Sequence, residues 1–133
     1  MASRKTSIVK KLIPQPIHHE RFDWDIGDII KDKAHEAKLL KRWQHDYASI
    51  IDFGIAPFIS AKWIKRLKHY SINGLPTYEL RYKIILEIRM IFVMQNKNPV
   101  YLTAFCKNNN FSYDDEIQRA TDRYNELLQR GDI

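Results

Sequence analysis

Leu75-Pro76-Thr77-Tyr78-Glu79-Leu80-Arg81-Tyr82-Lys83-Ile84 is the stretch whose reading decides the fold. Tyr78, Leu80, Tyr82 and Ile84 alternate with Glu79, Arg81 and Lys83, and a period of two belongs to a strand with one buried face. Asn73-Gly74 and Pro76 supply strong turn chemistry just before it. Leu86 to Met94 follows, β-rich and apolar apart from Arg89, and reads as a central strand. Asn96 to Pro99 is a further turn, and Val100 to Phe105 makes a third strand. Sequential strands with short connections form an antiparallel meander.

Helical patterns flank the meander on both sides. From about Asp32, Leu40, Trp43, Tyr47 and Ile50 recur at spacings of three and four. Gly54 and Pro57 mark a break, and Pro57 suits the first turn of a new helix. That helix is predicted over about 57–70, with Ile59, Trp63, Leu67 and Tyr70 on one stripe and Lys62, Lys65, Arg66, Lys68 and His69 over the remainder. At the far end Ser112 is an N-cap with Asp115 three residues on. Tyr113, Ile117, Ala120, Tyr124, Leu127 and Leu128 form the stripe of the last helix, and Gly131 caps it. Before residue 30, Thr6 to Ile13 and Ile17 to Trp24 are candidate short edge strands, parted by Pro14 and Pro16. The expectation is an α+β fold: a small antiparallel sheet of three to four strands, packed with N-terminal helices and one C-terminal helix. Residues 1–30 would be an N-terminal extension with a possible edge strand, and residues 31–133 the domain proper.

Composition narrows the class. Apolar residues make up 44% and charged residues 29%, which argues for a packed core and against disorder. The single cysteine, Cys106, cannot pair within the chain and reads as a small buried hydrophobe. No secretory signal or membrane span is expected, because Pro14 and Pro16 interrupt the N-terminal stretch. The apolar region holds nothing uncharged longer than the run between Arg89 and Lys97. A cytoplasmic protein follows as the default. Four scattered glycines leave no phosphate loop, and His18-His19 is a bare pair, so no cofactor and no metal site is expected. Asp114, Asp115 and Glu116 open a helix, where its dipole favours them.

The charge has a definite location. The net charge is +6 and the isoelectric point about 9.4. Residues 58–90 carry seven basic groups against Glu79 and Glu87, so most of the excess lies in the central quarter of the chain. Concentrated positive charge is the footprint of nucleic-acid contact, and equally of a solvated basic face. Pairing the strands around residue 85 sets Arg81 nearly opposite Arg89. Like charges facing across a ladder are destabilising unless an anion lies between them. That anion is either a bound phosphate or the carboxylates of Glu79 and Glu87.

The order of these segments resembles that of RelE/HigB-type toxins, particularly their phage-derived branch. Leu75 to Arg81 looks like that family's first meander strand, and Ile88-Arg89-Met90-Ile91-Phe92 like its second. Val100-Tyr101-Leu102-Thr103-Ala104-Phe105-Cys106-Lys107 is similar to its third strand, and Ile117-Gln118-Arg119-Ala120 with Arg123 to its closing helix. The resemblance covers about residues 57–129, with a looser helical match from 32 onward. After Lys107 this chain reads Asn108-Asn109-Asn110-Phe111-Ser112, without the family's second lysine, threonine and proline, and the family's glycine between the first two strands is missing.

The resemblance implies a toxin of a type II toxin–antitoxin system, a ribosome-dependent mRNA endoribonuclease that blocks translation and uses no metal. Its partners would be mRNA on the ribosome and a cognate antitoxin, a small helix-turn-helix protein. By position, Arg81 and Arg89 would stabilise the scissile phosphate, and Lys107 would be a second stabiliser or a proton-transfer group. Lys62, Lys65, Arg66, Lys68, His69 and Lys83 would contact the RNA backbone. Tyr113 would stack on a base or orient the phosphate, although its place at a helix start favours a plain core role. Two other readings stay open. The ParE branch shares the fold and inhibits gyrase without catalysis, and an adaptor would bind RNA or protein having lost the nuclease activity.

Overall fold

The computed structural model describes residues 16–84, 86–108 and 110–133. The candidate strand at Thr6 to Ile13 lies outside the described residues. In chain order the elements are β1 (Ile17–His18), α1 (Glu20–Ile29), α2 (Lys33–Phe53), α3 (Ala56–Ser60), β2 (Ile64–Ile72), β3 (Leu75–Ile84), β4 (Leu86–Gln95), β5 (Asn98–Cys106) and α4 (Tyr113–Arg130). The architecture is α+β. Its sheet has five strands rather than three or four, in the order β1-β5-β4-β3-β2. β2 to β5 run antiparallel as the expected meander with one strand added before it, and β1 joins β5 in parallel.

Two further corrections concern element type. The helix predicted over 57–70 ends at Ser60, and most of that stretch is the edge strand β2. Ile17 to Trp24 supplies only a two-residue strand before helix takes over. In α1, Phe22 and Ile26 are four apart and both fully buried, while the ring of His19 caps the helix by accepting the Arg21 N–H at 3.1 Å. Asp32 caps α2 in the same way through Ala34 N–H at 2.9 Å. That helix stops at Gly54, whose φ of +78° only glycine adopts without strain.

The sheet is covered on both faces. Phe22, Leu40, Trp43 and Tyr47 of α1 and α2 pack on Tyr78, Leu80, Tyr82, Met90 and Phe92. On the opposite face Ile117, Ala120, Tyr124 and Leu127 of α4 pack on Leu67, Ile91, Val93, Val100 and Leu102. A strand flanked on both faces loses its alternation, which is why β4 is buried from Ile88 through Val93. Leu128, assigned by its spacing to the buried stripe, is 41% exposed instead, and Arg123 is buried.

Arg123 has a structural task. β1 covers only the first part of the β5 edge, and the backbone beyond it needs other partners. Asp25 accepts the Ala104 N–H at 3.1 Å, and Arg123 donates to the Leu102 carbonyl at 2.8 Å. The two side chains bond each other at 2.6 Å, with Arg119 adding a contact to Asp25 at 3.2 Å. One edge of the sheet is therefore closed by an ion pair reaching from α1 to α4. The other edge is β2, where Lys65, Arg66, Lys68 and His69 are exposed. Lysines along an edge strand discourage pairing with another chain, whatever else they do.

Candidate nucleic-acid interface

The site starts from the register of β3 and β4. Arg81 and Arg89 are direct partners in that ladder, as their sequence positions predict, and Lys83 faces Glu87. Residues two apart share a face, so Glu79, Arg81, Arg89 and Ile91 lie on the side that α4 covers. Glu79 pairs with Lys65 of β2 on one flank and with Ile91 on the other, which places it in the middle of the sheet.

The anion between the two arginines is this glutamate. Glu79 is fully buried; its Oε1 accepts from Arg81 Nε at 2.9 Å and lies 3.2 Å from Arg89 Nε. The Arg89 contact is an ion pair without hydrogen-bond alignment, since that Nε has no hydrogen-bond partner. Glu87 adds a loose contact to Arg89 at 3.9 Å. Of the two carboxylates considered from the sequence, Glu79 touches both arginines and Glu87 only Arg89. The arginines differ in access as well. The Arg81 side chain is 30% exposed and the Arg89 side chain 8%, so Arg81 presents charge outward and Arg89 supports it from within.

Tyr113, first residue of α4, donates its hydroxyl to Glu79 Oε2 at 2.5 Å. Burial, followed by the Glu79 bond and charge, pushes its pKa up to about 12. Its ring leans on Tyr70 of β2 at 6.2 Å and on Phe111 at 4.8 Å, and Phe111 stacks on Phe105 of β5 at 5.4 Å. Tyr70 in turn donates to Asp114 at 2.7 Å, fastening β2 to the start of α4. Tyr113 is thus a half-buried residue packed against the core and a wall of the site.

From this cluster a groove of about 760 Å³ runs along β2. Lys62, Lys65, Arg66, Lys68, His69, Arg81 and Tyr113 all line it, with Ile59, Ile64, Leu67 and Tyr70 as its apolar part. The basic residues assigned to a helix therefore line a groove as members of an extended edge. Lys62 turns the chain from α3 into β2 with φ at +66°, a left-handed conformation uncommon for a side-chain-bearing residue. Three candidates lie outside the groove lining. Lys83 is exposed at the far end of β3, Arg89 is buried in β4 against Glu79, and Lys107 is exposed just past β5. The Lys107 backbone N–H bonds the Glu87 carbonyl at 2.9 Å, which keeps it at the Arg89 end of the ladder.

Sequence reasoning missed Phe111 and the aromatic link from Tyr113 to Tyr70, which only folding brings together. It also missed Arg42, whose guanidinium lies 4.2 Å from the Trp63 ring and 5.0 Å from that of Tyr82. Tyr82 donates to Asp46 at 2.5 Å, so this second cluster ties α2 to the start of β2 behind the groove. Among the described residues no helix is long and apolar enough to cross a membrane, and no group of three His, Cys, Asp or Glu is placed to hold a metal ion. No protein-family model matches the chain, and no curated protein matches it.

Proposed function

We propose that this chain binds single-stranded RNA along the β2 groove and acts as a RelE/HigB-like toxin of a type II toxin–antitoxin system, cleaving mRNA on the ribosome without a metal. The carrying observation is the groove itself, in which Lys62, Lys65, Arg66 and Lys68, with His69, lead to Arg81 and an aromatic wall at Tyr113. Cations along a trough attract the phosphate chain, and aromatic rings give unstacked bases a surface, the usual combination for single-stranded nucleic acid. The three strands β3 to β5 followed by α4 also support the reading, since a meander closed by a C-terminal helix is what the family resemblance leads one to expect, whereas the helix expected over 57–70 is a strand.

In this reaction the ribose 2′-oxygen bonds to the adjacent phosphorus and the bond from phosphorus to the 5′-oxygen breaks. The products are a cyclic phosphate and a 5′-hydroxyl. Arg81 would face the charge growing on the phosphoryl oxygens, with Arg89 and Glu79 holding it in place. The 2′-hydroxyl proton would pass to solvent water, and Lys107, an exposed ammonium at the Arg89 end, would give the leaving oxygen its proton and be reprotonated from solvent. An antitoxin would silence the protein by covering the groove.

One observation favours a second reading. Glu79 neutralises part of the arginine pair, which suits an RNA-binding adaptor that does no chemistry. Induced expression separates the two. The toxin reading expects growth arrest and new 5′-hydroxyl message ends, lost in Arg81→Ala and Lys107→Ala proteins that fold normally. Ribosome association with an intact message pool selects the adaptor, and neither association nor cleavage overturns both.

A further inference from the structure

We infer that Glu79 is a built-in counter-anion that competes with RNA phosphate for Arg81 and sets how strongly the groove binds. The inference rests on the groove being an RNA site and adds what regulates its affinity. Arg81 and Arg89 stand directly opposite each other, an arrangement that costs free energy unless negative charge lies between them. Glu79 supplies that charge at 2.9 and 3.2 Å and is wholly buried, so incoming RNA cannot simply push it into water. Tyr113 fixes its other oxygen at 2.5 Å. The carboxylate is thus held from three sides at the position a phosphate between the arginines would want.

Arg81 therefore reaches RNA with part of its charge already engaged by Glu79. The arrangement keeps the fold stable when the groove is empty and limits its grip when it is full. A site that must release its RNA gains from such a limit.

The test is the salt dependence of binding to an unstructured oligouridine of about twelve nucleotides, a length within the usual single-strand site sizes. Each phosphate neutralised on a single strand contributes about −0.7 to the slope of log affinity against log salt. In Glu79→Gln the Arg81 charge is released, and the slope should steepen by about 0.7 with tighter binding. Since Glu79→Gln leaves two arginines face to face, Glu79→Gln/Arg89→Gln provides a second variant in which Arg81 alone is freed. The same steepening is expected there. A purely structural role for Glu79 would weaken binding or leave the slope unchanged. Equal slopes in wild type and a folded variant overturn this inference alone; absence of binding by all three proteins overturns the RNA reading and this inference with it.

Discussion

Arg81 stands directly across the β3–β4 ladder from Arg89, and the pair survives because one buried carboxylate touches both. Removing that carboxylate is strongly destabilising, as removing one partner of a buried ion pair usually is. Glu79→Ala should lower unfolding stability by about 3 kcal/mol, read by urea denaturation, part of the cost being moderated by the exposure of Arg81. Tyr113→Phe removes only the hydroxyl and should cost about 1–2 kcal/mol. A neutral Glu79→Ala would mean that the arginines do not rely on it.

The Asp25–Arg123 pair gives a separate expectation at the other edge of the sheet. Asp25→Ala leaves the Ala104 N–H without its acceptor and Arg123 without its carboxylate, with only the Leu102 carbonyl remaining. The loss should be about 3 kcal/mol, accompanied by concentration-dependent aggregation as the β5 edge becomes available. Light scattering alongside denaturation checks both parts. A destabilised variant that stays monodisperse would leave the ion pair as a stability device only.

Two adjacent histidines should respond to pH in opposite directions. Burial lowers the pKa of His19, with Glu20 and Glu126 opposing it only partly and Arg123 and Arg130 reinforcing it. Its folded value lies below the ordinary 6.5, so its contribution is complete above pH 6.5 and is lost as the pH falls toward the folded value. For His18, burial works against the charge, but the bond and charge of Asp23 and the Pro16 carbonyl outweigh it and raise the pKa. Its contribution is complete below pH 6.5 and is lost as the pH rises through the raised value. Comparing the urea midpoints of His19→Asn and His18→Gln with wild type across pH 5–8 measures both. The His19→Asn deficit should shrink toward acid, and the His18→Gln deficit toward base.

How much of this was legible in the sequence depends on how local the deciding contacts are. The meander is legible because Tyr78 to Ile84 alternate cleanly and Asn73-Gly74 and Asn96 to Pro99 mark its turns. The facing of Arg81 and Arg89 follows from pairing the two consecutive strands with each other, and the observed register sets them opposite. β2 is not legible. Its ladder shifts between Arg66 and Ser71, so its buried residues Ile64, Leu67 and Ile72 break the period of two. Ile59, Trp63, Leu67 and Tyr70 then imitate a helical stripe although Ile59 and Trp63 are about 40% exposed. Glu79 looks solvent-facing for a related reason. Alternation places it on the polar side, and that side is buried by α4, whose Tyr113 bonds Glu79 from thirty-four residues away. Arg123 bonds Asp25 ninety-eight residues away, a contact that no window of sequence reveals.

The lysines of β2 should act on RNA as charges rather than as readers of sequence. Lys62, Lys65 and Lys68 changed together to Ala should weaken binding to oligouridine and oligoadenosine alike. The salt slope should become shallower by about 2, at about 0.7 for each phosphate no longer neutralised. Weakening confined to one sequence would point to base recognition instead.

Cleavage of message by this chain's own side chains is what separates a toxin from an adaptor built on the same groove. Purified protein is added to ribosomes stalled on a defined mRNA, and the message ends are then mapped. Cuts that leave cyclic-phosphate and 5′-hydroxyl ends are expected, and they should disappear in Arg81→Ala. A message left intact by folded wild-type protein, with the groove shown to bind RNA in the same preparation, would contradict the toxin reading.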